Sequence, residues 1–133
     1  MLRFEEIEID LIITVHFQRL LPKSIFNRAK FGALNLHPSI LPRYRGMSPQ
    51  HWPIVFGDSE TGITVHRIDE GVDTGRILSQ VKIQLDPGIY IHELQKKFLE
   101  IYPSVMLAAV EKAIAGELGA LQLADGASYF HKI

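Results

Sequence analysis

Cysteine is absent from the 133 residues of this chain. Its absence excludes a disulfide framework, a thiolate nucleophile and a zinc site built from cysteine ligands. A chain without disulfides is compatible with a reducing compartment, and we therefore expect a cytoplasmic location.

The chain also lacks an excess of either charge, because 14 Lys and Arg residues face 15 Asp and Glu residues. Neutralising nucleic-acid phosphates needs a surplus of basic residues, so we expect no nucleic-acid partner, with tRNA as the one exception. The longest apolar runs are far shorter than the roughly 20 residues that cross a bilayer. The acidic first ten residues do not resemble a secretory signal, and we expect no membrane partner.

Strand and helix patterns alternate along the chain, which predicts one α/β domain. The apolar run at residues 10–15 does not alternate, which favours a buried parallel strand, and we expect a mostly parallel sheet. Pro103 should kink or divide the last helix. No opening βαβ unit with a glycine-rich turn is present, so the chain is expected to begin in mid-fold. The predicted strands cover residues 10–15, 33–36, 62–68 and 77–83, and the predicted helices cover 22–30, 48–56 and 90–115.

Two loops carry residue types suited to chemistry. Asn35 ends a predicted strand, and His37 follows on the same face by the two-residue strand period. Asp73 lies in the glycine-bearing acidic loop between two later strands. Ligands of open α/β sheets collect beyond the carboxyl ends of the strands, so we expect both loops at that edge and the three side chains in one cavity.

Short motifs run through the chain in a fixed order. They are Asn35-x-His37-Pro-Ser-x-Leu-Pro42-x-Tyr44-Arg-Gly46, Trp52, Gly57-Asp58, Thr61-Gly62-x-Thr64 and Asp69-Glu-Gly-x-Asp73-Thr-Gly75. This pattern resembles the signature of the formyltetrahydrofolate-dependent formyltransferases, which act on methionyl-tRNA, glycinamide ribonucleotide or amino sugars. The resemblance implies a partial doubly wound, Rossmann-like formyltransferase fold. Residues 1–133 would form one truncated catalytic domain, the carboxy-terminal half, with the first βαβ half missing.

The resemblance also implies a reaction. A formyl group would pass from 10-formyltetrahydrofolate, as co-substrate, to a small-molecule primary amine without a metal. Asn35 and His37 would donate hydrogen bonds to the tetrahedral alkoxide. Asp73 would raise the pKa of His37 and take up the proton that the attacking amine loses.

The folate contacts implied by the motif match fall in an apolar segment after the first strand and in the acidic loop. They are Phe17, Arg19, Leu21, Asp69, Glu70, Gly71 and Val72. Leu21 and Val72 would cover the face of the pterin ring. Where the family has glycine or a small residue before Phe17, this chain has His16, which would narrow the folate entrance or change its donor contacts.

Several alternatives stay open at this point. In one alternative the chain is a non-catalytic remnant that binds folate or assembles with a partner. In another it is a hydrolase, in which water replaces the amine as the group that attacks the formyl carbon. His37, His66 and Asp73 would form a metal site in a further alternative. Among acceptors, the near-neutral charge favours a nucleotide-linked amino sugar or another small phosphorylated amine over methionyl-tRNA. An exposed strand edge would favour a homo-oligomer or a complementing chain.

Overall fold

A computed structural model describes residues 6–17 and 19–132 of the chain. Its strands and helices alternate, which confirms the α/β class. The predicted strands and helices are all present, with bounds that differ from the predicted ones. In chain order they are β1 (Ile12–Val15), α1 (Lys23–Phe26), β2 (Ala33–His37), β3 (Arg45–Gly46), α2 (Trp52–Val55), β4 (Glu60–Arg67), β5 (Ile77–Gln84), α3 (Ile91–Ile114) and β6 (Tyr129–Phe130).

The main sheet has the strand order β1-β2-β4-β5. Only β1 and β2 run parallel, whereas β2–β4 and β4–β5 are antiparallel. The sheet is therefore mixed, which corrects the expectation of a mostly parallel sheet. Parallel neighbours need a crossover connection, which the segment containing α1 supplies between β1 and β2. The later connections instead turn the chain back, so β4 and β5 run against their neighbours.

The core lies between α3 and the sheet. One stripe of α3 is buried at helical spacing and packs against β4 and β5. Leu34 and Leu36 of β2 point to the same side of the sheet and join this cluster. Because strand side chains alternate between faces, Asn35 and His37 are turned to the opposite side. Packing of the even-numbered residues of β2 thus fixes where the polar ones lie.

The helices differ most from their predicted bounds. After α1, the amides of Lys30 and Phe31 donate to the carbonyls of Ile9 and Asp10, and these bonds replace a helical continuation. Before α2, Ser48 has a φ of 54°, which is not the extended conformation of an N-cap, so the second helix starts late. Pro103 lies inside α3 without dividing it, because buried side chains on both sides hold the helix to the sheet.

Strand β1 forms one edge of the main sheet within the described residues. Ile13 and Val15, on its α3 side, are 47% and 54% exposed, since α3 covers β4 and β5 instead. The surface that was expected to favour association is present, and an oligomer or a complementing chain stays a prediction. No helix within residues 6–17 and 19–132 is long and apolar enough to cross a membrane.

Candidate active site

Asn35 and His37 project from β2 into the interior, where they are only 4% and 3% exposed. Asp73 lies in the loop between β4 and β5, and its Oδ2 is 3.5 Å from His37 Nδ1. Asn35 and Asp73 line the same cavity. The structure therefore brings together the three side chains that the sequence pattern had grouped, although β2 and the loop of Asp73 are more than 30 residues apart in the chain.

Asn35 is oriented by its neighbours on β1. The backbone N–H of Phe17 donates to Asn35 Oδ1 over 3.3 Å, and the Thr14 hydroxyl donates to the same oxygen over 2.7 Å. A backbone N–H can only donate, so the atom facing it must be the amide oxygen. The Nδ2 group of Asn35 is then left as the donor available to a ligand in the cavity.

Asp73 lies between two imidazole rings. His66 Nε2 is 3.5 Å from Asp73 Oδ1, on the other side of the carboxylate from His37, and Gly46 N–H donates to Oδ2 over 2.9 Å. At 3.5 Å the imidazole contacts are longer than ordinary hydrogen bonds, so we treat them as electrostatic. His66 Nε2 is buried and has no hydrogen-bond partner among the described residues. The sequence had suggested His66 only as a metal ligand.

The remaining ring nitrogens are committed to backbone carbonyls. His37 Nε2 is 2.8 Å from Tyr44 O, and His66 Nδ1 is 2.9 Å from Arg67 O. Because a carbonyl only accepts, each of these nitrogens must carry the proton. A neutral ring therefore turns a lone pair toward Asp73, and the cluster is favourable only when a proton or a donor group lies between ring and carboxylate.

The pKa values follow from burial and from these contacts. Burial lowers the pKa of His37, while the Asp73 charge and the bond to the Tyr44 carbonyl oppose that effect without reversing it. Burial would raise the pKa of Asp73, but His66, His37 and the Gly46 N–H outweigh it and hold that pKa below its usual range. Asp73 is therefore a carboxylate at neutral pH, close to an imidazole that gives up its proton readily.

The first cavity holds most of the predicted folate contacts. It encloses about 630 Å³ including its open mouth, within the size range of small-molecule sites. Glu70 does not line it, because its carboxylate forms an exposed ion pair with Lys23 at 2.9 Å. The predicted contacts that do line it are Phe17, Arg19, Leu21, Asp69, Gly71 and Val72.

The acidic loop is shaped by its own side chains. Asp69 Oδ1 accepts hydrogen bonds from Gly71 N–H (2.9 Å) and from the Thr74 hydroxyl (2.7 Å). Asp73 adopts a left-handed φ of 54°, which a non-glycine residue keeps only where its surroundings hold it. At Gly75 a Cβ would clash with the backbone oxygen of Arg67, so the chain passes too close to β4 for any other residue.

The C-terminal segment completes the site, although its sequence is weakly patterned. Strand β6 pairs in parallel with β3, beside Gly46. Gln122 donates from Nε2 to the carbonyls of Asp73 (2.9 Å) and Gly75 (2.8 Å), and its Oε1 accepts from Arg45. Gln122 thus joins the acidic loop to β3. Only its long-range contacts reveal this role, since no local signal in the sequence marks it.

A second cavity lies on the other side of Phe17, Gly46 and Met47, which line both cavities. His37 lines the second one, whereas Asn35 and Asp73 line the first. The three side chains therefore stand where two cavities meet.

Two predictions from the sequence concern this region. His16 lines the second cavity, and its effect on a folate entrance stays a prediction. No group of three or more His, Asp or Glu side chains within the described ranges is arranged to hold a metal ion.

Known proteins are similar to this chain in sequence. A family model described as "Formyl transferase" matches residues 2–110. The methionyl-tRNA formyltransferase of Ehrlichia ruminantium (strain Gardel) is 37% identical over 131 residues, covering 98% of this chain and 43% of that protein. This chain thus spans less than half the length of the curated relatives it matches first.

Two solved structures show the same architecture. The phosphoribosylglycinamide formyltransferase of Bacillus halodurans has a TM-score of 0.72 at 25% identity. The match covers 80% of this chain and 55% of that protein. An N-formyltransferase from Helicobacter canadensis was solved with folinic acid and dTDP-3-aminofucose. It has a TM-score of 0.73 at 26% identity, and the match covers 90% of this chain and 44% of that protein.

Proposed function

This chain belongs to the formyl transferase family, as the order of its motifs predicted, and from that premise we propose that it transfers a formyl group from 10-formyltetrahydrofolate to a primary amine. One observation carries the proposal. Asn35, His37 and Asp73 stand at the junction of two cavities, so a formyl donor in the first and an amine in the second would meet beside them.

The proposed reaction begins when the amine nitrogen bonds to the formyl carbon and the carbonyl oxygen becomes an alkoxide. Asn35 Nδ2 and a protonated His37 Nδ1 would donate hydrogen bonds to that oxygen. Asp73 would accept the proton lost by the amine. The bond between the formyl carbon and folate N10 then breaks, N10 takes up a proton, and the formamide product and tetrahydrofolate leave.

The folate would occupy the first cavity. Leu21 and Val72 offer apolar contact to a flat ring, and the backbone around Gly71 offers polar groups to its edge. Support for a folate ligand comes from a relative of the same fold that was solved with folinic acid. Residues 1–133 would form part of the catalytic domain of such an enzyme.

The acceptor that we place first is methionyl-tRNA, because the curated relatives with 36–41% identity carry that name. This reverses the preference drawn from net charge alone. A nucleotide-linked amino sugar is the second candidate, supported by the relative solved with dTDP-3-aminofucose.

Formyl transfer is tested by supplying 10-formyltetrahydrofolate with methionyl-tRNA, dTDP-3-aminofucose or glycinamide ribonucleotide and measuring formylated product. We expect Asn35→Ala to lower turnover by a factor on the order of 10²–10³ while 5-formyltetrahydrofolate still binds. Asn27→Ala, at the end of α1 and outside both cavities, is the matched control. Folate binding without formylation of any acceptor would instead support the non-catalytic alternative. Formate release without acceptor would support hydrolysis.

A further inference from the structure

His16 stands at the end of β1 in a conformation that its side chain does not favour. Its φ is 55°, in the left-handed region that suits glycine. Its amide N–H donates to Leu36 O over 3.1 Å, which continues the pairing of β1 with β2. Such strain at a non-glycine residue is kept where surrounding contacts impose it, and it concentrates at ligand sites.

Contacts with α3 hold the imidazole of His16 in place. Its Nε2 is 2.7 Å from the Tyr102 hydroxyl oxygen, and the two rings meet edge to face with centroids 5.3 Å apart. The Tyr102 hydroxyl can accept from Nε2–H or donate to Nε2, and in the tautomer in which Nε2–H donates, the lone pair lies on Nδ1. Nδ1 has no hydrogen-bond partner among the described residues, so it is available to a ligand.

The position of His16 relates it directly to the proposed chemistry. His16 and His37 line the second cavity together, and the next residue, Phe17, hydrogen-bonds Asn35. Burial lowers the pKa of His16, which keeps its ring neutral and able to accept a hydrogen bond at neutral pH. With the proton on Nε2, the ring is a hydrogen-bond acceptor on the wall of the cavity that we assign to the amine.

We propose that His16 is an acceptor-binding residue whose Nδ1 accepts a hydrogen bond from the amine nitrogen in the second cavity. This inference rests on the proposed function, because it takes the second cavity as the amine site. Tyr102 would act through His16, as a positioning residue that fixes the tautomer.

His16→Asn is the decisive variant, since asparagine tolerates the left-handed conformation but removes the imidazole. We expect its KM for the amine to rise about fivefold to tenfold, the equivalent of one lost hydrogen bond, with an unchanged KM for 10-formyltetrahydrofolate. Tyr102→Phe should shift the amine KM in the same direction by less. His92→Asn and Tyr90→Phe, on an exposed stacked pair at the start of α3, are the matched controls.

A binding measurement tests the inference even if the chain does not turn over. Methionine methyl ester and dTDP-3-aminofucose are titrated into the full 133-residue chain, with and without 5-formyltetrahydrofolate, while the His16 ring is followed by NMR. We expect a saturable shift of that ring by at least one amine and weaker binding of the same amine by His16→Asn.

Failure of the role proposed for His16 is distinguishable from failure of the proposed formyl transfer. No shift of His16 by either amine, equal amine affinity in His16→Asn, or an equal loss of folate affinity would overturn the role of His16. If the wild-type chain neither binds 5-formyltetrahydrofolate nor transfers a formyl group, the proposed function itself is overturned.

Discussion

Replacing Asp73 with asparagine separates the charge of this residue from its shape. The amide has the size of the carboxylate, and its oxygen can still accept from Gly46 N–H, a bond of 2.9 Å in the wild type. Its NH₂ group then takes the place of Oδ1 and can donate to His66 Nε2, which has no other hydrogen-bond partner among the described residues. We therefore expect Asp73→Asn to change the free energy of unfolding at pH 8 by no more than about 1 kcal/mol.

The charge of Asp73 matters for the protonated form of His37, which is not the form present at pH 8. At the observed separation of 3.5 Å and an effective dielectric constant of about 20, a carboxylate and an imidazolium interact by about 5 kcal/mol. Removing Asp73 takes away the group that opposes the effect of burial on His37, so the pKa of His37 should fall further. Turnover should then drop by at least a factor on the order of 10²–10³, because the protonated ring and the proton acceptor are lost together.

Three measurements test this expectation on one sample. An NMR titration gives the pKa of His37, thermal unfolding gives stability, and formyl transfer gives turnover. Asp125→Asn, an exposed aspartate in the C-terminal segment, is the matched control and should leave all three unchanged. A pKa of His37 that stays constant or rises in Asp73→Asn, or turnover within tenfold of wild type, would show that the cluster does not work as described.

Three further expectations concern stability and loop shape. Phe98→Ala should cost about 3–5 kcal/mol of unfolding free energy by chemical denaturation, because Phe98 is 0% exposed, whereas its neighbour Leu99, 67% exposed, should tolerate alanine within about 0.5 kcal/mol. Gly75→Ala should abolish 5-formyltetrahydrofolate binding measured by calorimetry, since its Cβ would meet the last carbonyl of β4, while Gly126→Ala, with open space around it, should bind normally. The pKa of His37 is lower in the folded chain than in the unfolded chain, where it is about 6.5. Below pH 6.5 the unfolded chain therefore binds a proton at His37 more readily than the folded chain does. This difference lowers the free energy of unfolding by at most about 1.4 kcal/mol per pH unit, whereas above pH 6.5 the residue has no such effect. His37→Gln should therefore flatten the acid side of a stability–pH curve, and an unchanged slope would contradict the assignment.

Local sequence patterns predicted much of the architecture correctly. Each main strand corresponds to a recognisable apolar run, and the buried stripe of α3 follows from apolar residues spaced three and four apart. The pairing of Asn35 with His37 on one strand face also followed from the sequence, because strand geometry fixes it within three residues. The long loop motifs further identified Asp73 as their partner.

Strand direction, by contrast, was decided by tertiary structure. Strand β4 is buried on both faces, and such burial is compatible with parallel and antiparallel neighbours alike. The chain reverses before β4 and again around Asp73, and these reversals make β4 antiparallel to β2 and β5 antiparallel to β4. The same holds for the length of the first helix, which backbone bonds to distant carbonyls cut short.

The sequence by itself determined the family of this protein, since an amide, an imidazole and a carboxylate occur in motifs whose order identifies it. Only the tertiary structure determined what surrounds them: His66 beside Asp73, Gln122 beneath the acidic loop and His16 in a second cavity. These contacts join residues that are separated in the chain and follow no short-range period. They exist because the sheet and α3 pack in one register, and a local pattern contains no information about that register.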